Sequence, residues 1–136
     1  NRLGLRGEAR AALERQIRLD PLAAAFYIEK GRMAFEEKRW EEARKDFETA
    51  TEVEPGNPTG YQYLGNLLVE RRRYRDALAV YARGLARNPG SEELHYNAAV
   101  AAFRMGDLAL ARAHAEAVLR GNPAHAQARM ILSRSR

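Results

Sequence analysis

The sequence predicts an all-α solenoid of stacked helix–turn–helix repeats, because two series of residues and one pattern of apolar positions keep the same period. One series consists of four prolines, each 34 positions after the previous one: Pro21, Pro55, Pro89 and Pro123. The other consists of four alanines at the same interval: Ala9, Ala43, Ala77 and Ala111. Within each period, apolar residues recur three or four positions apart, as on one face of an α-helix. A fixed period of this length indicates units that stack on one another.

Residues 24–57 show how one period forms two helices. The first helix is expected over 24–37 and the second over 40–53, with the basic turn Lys38-Arg39 between them. The first helix has apolar residues at helical spacing: Tyr27, Met33, Ala34 and Phe35. The second has a further set: Trp40, Ala43, Phe47, Ala50 and Val53. The period ends at Pro55-Gly56-Asn57, where proline cannot continue a helix and Gly-Asn favours a turn.

Small residues occupy equivalent positions in the first helix of three successive periods, namely Gly31, Gly65 and Ala99. A glycine inside a helix costs about 1 kcal/mol relative to alanine. Helices whose axes lie about 8–10 Å apart need small side chains where they approach most closely. The two glycines therefore predict a close contact with a neighbouring helix.

These residues resemble the tetratricopeptide repeat, whose 34-residue pattern is W-x2-L-G-x2-Y, then A-x3-F, then P. The middle period follows it closely, with Tyr61-x-x-Leu64-Gly65-x-x-Leu68, then Ala77-x-x-x-Tyr81, then Pro89. The preceding period keeps most of the pattern but has Lys30 where leucine is usual. The following period is looser, although its Gly106-Asp107 turn is typical of the family.

The resemblance covers essentially the whole chain and implies a single array. Residues 1–23 correspond to the second half of a repeat, and 24–57, 58–91 and 92–125 to three full repeats. Residues 126–136 begin a further helix or a capping helix. In this family the helices form a right-handed superhelical solenoid, here of about seven helices.

The family also implies a binding groove, because the first helix of each pair builds the inner wall of the superhelix. The side chains expected to face the groove are Ile28, Arg32, Phe35, Gln62, Asn66, Val69, Glu70, Glu93, Tyr96, Val100, Phe103 and Arg104. We expect an apolar anchor at Tyr96, Val100 and Phe103, because aromatic residues are often energetically dominant at interfaces. The alternative for Phe35 and Phe103 is that they pack mainly between neighbouring helices.

The resemblance implies a protein–protein interaction module, acting as a scaffold, adaptor or chaperone-like protein that binds a peptide or helix of another protein. The chain begins at Asn1 in the middle of the pattern, so we expect a piece of a longer protein. Its arginine-rich, lysine-poor composition favours a bacterial source. The alternative is a self-association module of an assembly or secretion complex, in which the helix around Ala9 and Ile17 forms a homo-oligomer contact. The absence of cysteine leaves the compartment open between cytoplasm and periplasm.

One subtype of the family binds the acidic C-terminal tails of chaperones with a clamp of asparagine and basic side chains. Asn66 and Asn97 match the asparagine positions of this clamp. The basic positions hold Gln62, Gln127 and Ile131 instead. The sequence therefore does not predict a clamp of this kind.

Nucleic-acid binding is a weaker alternative, suggested by the formal charge of +5 and by the run from Arg71 to Arg75. The repeat pattern places this run at the turn between two paired helices. Tyr74 then corresponds to Trp40 and Leu108, so we expect it in the core. The arginines are expected to form a solvated corner, since charge runs often mark solvent-facing surfaces.

The sequence does not predict an enzyme, a metal site or a cofactor. His95, His114 and His125 form no H-x3-H or H-E-x-x-H pair, and no phosphate loop or nucleophile elbow is present. His95 occupies a helix-packing position, so we expect it to be structural. No apolar run approaches the roughly 18 residues of a membrane span, and we expect no membrane insertion by this segment.

Overall fold

The structure, a computed structural model, describes residues 22–136. The predicted half repeat at the N-terminus lies outside the described residues except for its last two positions. Residues 22–136 contain seven α-helices and no strand: α1 (Ala23–Glu36), α2 (Trp40–Val53), α3 (Pro58–Glu70), α4 (Tyr74–Arg87), α5 (Glu92–Met105), α6 (Leu108–Gly121) and α7 (Ala126–Arg134). The predicted all-α helical-repeat class is confirmed.

The chain divides into two compact units, one ending at Pro55 and one running from Gly56 to Arg136. In the described part of the first unit, α1 packs against α2. In the second unit, α3 packs against α4 and α5 packs against α6, while α4 contacts α5 and α6 contacts α7. The helices thus form pairs, and the exact repeat limits stay a prediction.

The turn inside each helix pair has the same backbone geometry, although its residues differ. Lys38, Arg72 and Gly106 all have positive φ, at 60°, 61° and 91°. Such left-handed residues commonly end helices. In each case the following amide donates back to a carbonyl five residues earlier, as in the 2.8 Å bond from Arg73 to Leu68. The turn therefore depends on backbone hydrogen bonds and not on a particular side chain.

An aromatic ring packs against a glycine in two of these helix pairs. A Cβ added to Gly31 would lie 2.6 Å from the ring of Phe47, and one added to Gly65 would overlap the ring of Tyr81. Phe47 and Tyr81 are both 1% exposed. The prediction that these glycines mark close helix contacts is confirmed.

The third pair contains two small residues at the same places. Ala99 and Ala115 stand 34 positions after Gly65 and Tyr81, and both are fully buried. Each pair therefore combines either glycine with a ring or alanine with alanine. This matching keeps the interface filled, as close packing requires.

We predict that Gly65→Ala lowers the free energy of unfolding by about 2 kcal/mol, because the added methyl group collides with a buried ring that has little room to move. Urea denaturation followed by circular dichroism measures this change. Gly56→Ala is the matched control, since a Cβ at that position meets no atom within 4 Å.

The Tyr81→Ala background gives a second test of the same contact. With the ring removed, Gly65→Ala creates the alanine pair found at Ala99 and Ala115, and it should no longer destabilise the protein. An equal loss of stability in both backgrounds would show that the ring is not what excludes a side chain at Gly65.

Candidate functional site

A cavity of about 300 Å³ lies between α3 and α5, in the second unit. Its wall consists of Asn66, Val69, Glu70, Tyr81, Tyr96, Asn97, Val100 and Arg104. Six of the predicted groove residues are among them: Asn66, Val69, Glu70, Tyr96, Val100 and Arg104. The structure thus brings these six side chains together, and their role in binding stays a prediction.

The repeat explains why these residues meet. Val69 and Glu70 stand three and four positions after Asn66 on α3, so both lie on the same face of that helix as Asn66. Val100 and Arg104 stand 34 positions after Asn66 and Glu70, so they occupy the same places on the next first helix. Two consecutive first helices therefore present equivalent faces to one cavity.

The wall combines apolar and charged groups. Val69 and Val100 are half-buried, whereas Glu70 and Arg104 are exposed and carry opposite charges. The ring of Tyr96 is half-buried and lies 5.0 Å from the ring of His125, centroid to centroid. The cavity therefore has a small apolar surface at Val69 and Val100, with the charged groups of Glu70 and Arg104 beside it.

A hydrogen bond connects the core to the cavity. The hydroxyl of Tyr81 donates to the side-chain oxygen of Asn66. Burial raises the pKa of Tyr81 above its ordinary value, and the positive charge of Arg104 acts weakly in the opposite direction. The phenol therefore stays protonated near neutral pH and keeps donating to Asn66.

The amide of Asn97 is the second polar group of interest. Its Nδ2 atom is buried and has no hydrogen-bond partner among the described residues. An unsatisfied buried donor costs about 1–3 kcal/mol. A ligand that supplied an acceptor to this amide would remove that cost.

The remaining predicted groove residues of the second unit lie outside the cavity wall. Gln62 and Phe103 are half-buried on α3 and α5, and Glu93 is exposed on α5. The expected anchor is thus divided: Tyr96 and Val100 line the cavity and Phe103 does not.

Three predicted groove residues belong to α1, in the first unit. Ile28 is half-buried, and Arg32 forms an ion pair with Glu29 at 3.3 Å. Phe35 is half-buried and packs edge-on against Trp40 of α2, with their ring centroids 5.3 Å apart. This contact is the helix-packing role that the sequence left open for Phe35.

The sequence did not predict Tyr81 and Asn97 as cavity residues. Tyr81 matches a core position of the repeat, which gives no sign that its hydroxyl reaches the groove. In the sequence, Asn97 was identified only as a match to one asparagine position of the chaperone-tail clamp. The available signal was its spacing, since it stands three residues before Val100 on the same helix.

The three histidines form structural hydrogen bonds. Nε2 of His95 lies 2.8 Å from the carbonyl oxygen of Pro89, so this nitrogen carries the proton. Nδ1 of His95 then accepts from Nδ1 of His114, 3.1 Å away. Nδ1 of His125 accepts from the backbone amide of Ala128 at the start of α7. His95 is half-buried, and its structural role stays a prediction.

Burial lowers the pKa of His114, and the nearby His95 lowers it further. Both effects disfavour a positive charge on the imidazole of His114. Within residues 22–136, no group of three or more histidine, aspartate or glutamate side chains is placed to hold a metal ion. In the same residues, no helix has the length and hydropathy needed to cross a membrane.

Comparison with known protein families gives a consistent match. One model described as a tetratricopeptide repeat matches residues 34–100 and again 68–134. A second model with the same description matches residues 2–58. The two models together extend over almost the whole chain.

The chain is also similar to a plant protein, ETO1-like protein 2 of Arabidopsis thaliana. The two are 30% identical over 96 residues, which are 71% of this chain and 10% of that protein. The chain therefore spans about a tenth of the length of this relative.

Solved structures show the same fold. The first tetratricopeptide domain of Spaghetti (RPAP3), bound to the HSP90 peptide SRMEEVD, has a TM-score of 0.78 at 20% identity, covering 87% of this chain and 94% of that one. The second tetratricopeptide domain of human RPAP3, in complex with the HSP70 peptide SGPTIEEVD, has a TM-score of 0.76 at 19% identity. The match covers 85% of this chain and 98% of that domain. At this identity the likeness concerns the fold alone.

We predict that the protein loses stability as the pH falls from about 7.5 to about 5.5, in part because of His114. Its folded pKa lies below the ordinary value of 6.5, so the unfolded chain takes up a proton more readily over this range. Urea denaturation at several pH values measures the effect. His114→Val, which introduces the residue found 34 positions earlier at Val80, should flatten the pH dependence. An unchanged slope in this variant would contradict the prediction.

Proposed function

The chain belongs to the tetratricopeptide repeat family, and from this we propose that it holds a segment of another protein in the cavity between α3 and α5, as a scaffold or adaptor. Repeats of this family typically serve as non-catalytic protein-interaction modules. The observation that carries the proposal is the cavity itself, which collects six of the predicted groove side chains, four of them at equivalent places on consecutive first helices.

The composition of the cavity wall suits a peptide segment. An apolar side chain would contact Val69 and Val100 and lose its exposure to water, which is the main favourable term in such binding. Glu70 and Arg104 on the exposed rim would favour a segment with both charge signs near its apolar residue. Charges in such positions act mainly on specificity and on the rate of association.

Asn97 favours contact with the peptide backbone. A carbonyl oxygen of the bound segment would accept from its amide after a small rotation of the side chain. The hydrogen bond would satisfy a donor that has no partner in the described part of the chain. Because every peptide has carbonyl groups, this contact would add affinity without demanding a particular side chain.

The proposed ligand differs from the peptides in the two solved structures, which both end in Glu-Glu-Val-Asp. By resemblance, the basic positions of the clamp hold Gln62, Gln127 and Ile131 here. None of these side chains would neutralise a C-terminal carboxylate. We therefore propose an internal segment of the partner, in which an apolar residue stands between charged ones.

A second candidate function is self-association through α1. Three large apolar residues on this part of the first unit are unusually exposed: Leu22 at 71%, Phe26 at 61% and Met33 at 55%. Neighbouring exposed apolar groups often mark interaction surfaces. The contact expected around Ala9 and Ile17 lies outside the described residues. Sedimentation of the isolated chain distinguishes this candidate, since the coefficient rises with protein concentration only if the chain self-associates.

We predict that the double variant Tyr96→Ala, Val100→Ala loses a partner that the wild-type chain retains from a lysate of the source organism. Removing two central contacts of an interface typically costs about 2 kcal/mol or more, which is more than tenfold in affinity. Affinity capture followed by mass spectrometry identifies the partner, and titration calorimetry then measures its affinity.

The matched control is Tyr63→Ala, Val53→Ala, which removes the same two side chains from half-buried positions outside the cavity wall. Circular dichroism must show that both variants are folded. Retention by the wild type and the control alone supports the cavity as the binding site. Equal retention by all three proteins would show that the partner binds elsewhere.

A further inference from the structure

A second cavity, of about 260 Å³, lies at the turn between α3 and α4. We call residues 71–75 the arginine corner, because four of these five residues are arginine. The wall of the cavity consists of Arg72, Arg73, Tyr74, Arg75, Asp76 and Met105. It is separate from the α3–α5 cavity, with which it shares no lining residue.

The charges around this cavity are unbalanced. Three guanidinium groups and one carboxylate line it, which leaves a formal charge of +2. Arg73 is paired with Asp76, at 3.1 Å between Nε and Oδ2. Arg72 and Arg75 form no ion pair or side-chain hydrogen bond with any residue in 22–136. Two exposed cations therefore stand close together without a counter-charge from the described chain.

The equivalent turns in the same chain show that the fold does not require these cations. In the first turn, Arg39 has two carboxylate partners, Glu37 at 2.7 Å and Glu42 at 2.9 Å, while Lys38 stands at the place of Arg72. The third turn has Gly106 and Asp107 in place of Arg72 and Arg73. The third turn therefore forms without either cation, so the fold itself does not require the two arginines.

We propose that the arginine corner binds one phosphate monoester group, carried on a side chain of a partner protein or present as inorganic phosphate. A phosphate monoester carries a charge of about −2 near neutral pH and three strong acceptor oxygens. The guanidinium group presents a planar fork of donors that matches these oxygens. The charge of +2 on the cavity wall balances the charge of this group.

The shape of the surface favours a single phosphate over a nucleic-acid strand. A strand needs cationic groups and stacking aromatic rings along an extended path. The corner has one aromatic ring, that of Tyr74, which is half-buried in the cavity wall. The next turn of the same unit, at Gly106 and Asp107, offers no cation.

The test is a titration of ¹⁵N-labelled protein with inorganic phosphate, followed by amide chemical shifts, against sodium chloride at the same ionic strength. We expect saturable shifts at the amides of residues 72–76 and of Met105 that chloride does not produce. The variant Arg72→Gln, Arg75→Gln should weaken the affinity for phosphate at least about tenfold, because it removes both unpaired positive charges and their charged hydrogen bonds to the phosphate oxygens.

The matched control is Lys38→Gln, Arg39→Gln, which removes the same charge from the equivalent turn of the first unit. It should bind phosphate as the wild type does. Shifts that chloride reproduces, or an equal loss of affinity in the control, would overturn the proposal, because binding would then depend only on net charge.

Two further ligands separate the sources of the phosphate group. A blocked peptide with one phosphoserine should bind at the same amides, whereas its unmodified serine form should not. Tighter binding of the phosphopeptide than of inorganic phosphate supports a phosphorylated partner, and equal affinities support the free ion. A single-stranded RNA oligonucleotide serves as the third ligand in this comparison. The proposal would be overturned in favour of nucleic-acid binding if the RNA bound more tightly than either ligand and its affinity fell with salt concentration as steeply as contacts to several phosphate groups require.

Discussion

The contact between an aromatic ring and a glycine on the paired helix is the constraint on which the fold and the candidate site depend. At Gly65 the missing side chain leaves room for the ring of Tyr81 to lie directly against the backbone of α3. The ring is almost completely buried, so it fixes the distance between the two helices. The same contact recurs at Gly31 and Phe47 in the first unit, which makes it a property of the repeat.

This core contact also shapes the surface of α3. Because the ring of Tyr81 lies against Gly65, its hydroxyl reaches the side chain of the next residue, Asn66, and donates to it. Asn66 is exposed at the cavity, so a buried side chain orients a group at the binding surface. At Gly31 the ring is that of Phe47, which has no hydroxyl and makes no such bond. The cavity therefore gains a polar contact from the hydroxyl group by which Tyr81 differs from Phe47 at the same place in the repeat.

The sequence predicts much of this architecture, because the period alone assigns equivalent residues to equivalent places. The helix pairs and the close contacts at Gly31 and Gly65 follow from it, whereas the six cavity residues were expected from the resemblance to the tetratricopeptide repeat. The period does not give distances between helices. The same resemblance implied Phe103 beside Tyr96 and Val100, yet Phe103 lies outside the cavity wall.

The same limit applies to polar side chains. The bond between His95 and His114 joins residues 19 positions apart, and no local pattern indicates it. Likewise, the unsatisfied amide of Asn97 depends on which acceptors the neighbouring helices place within reach. The arginine corner was visible in the sequence, but its lack of carboxylate partners was not.

Methyl NMR of the valine side chains, with and without the captured partner, tests the proposed binding cavity most directly. The chain has five valines, of which Val69 and Val100 line the cavity, while Val80 and Val118 are buried in the core of the same unit. The account predicts that the partner shifts the methyl signals of Val69 and Val100 and leaves those of Val80 and Val118 in place. Unchanged signals from Val69 and Val100 in a saturated complex would contradict it.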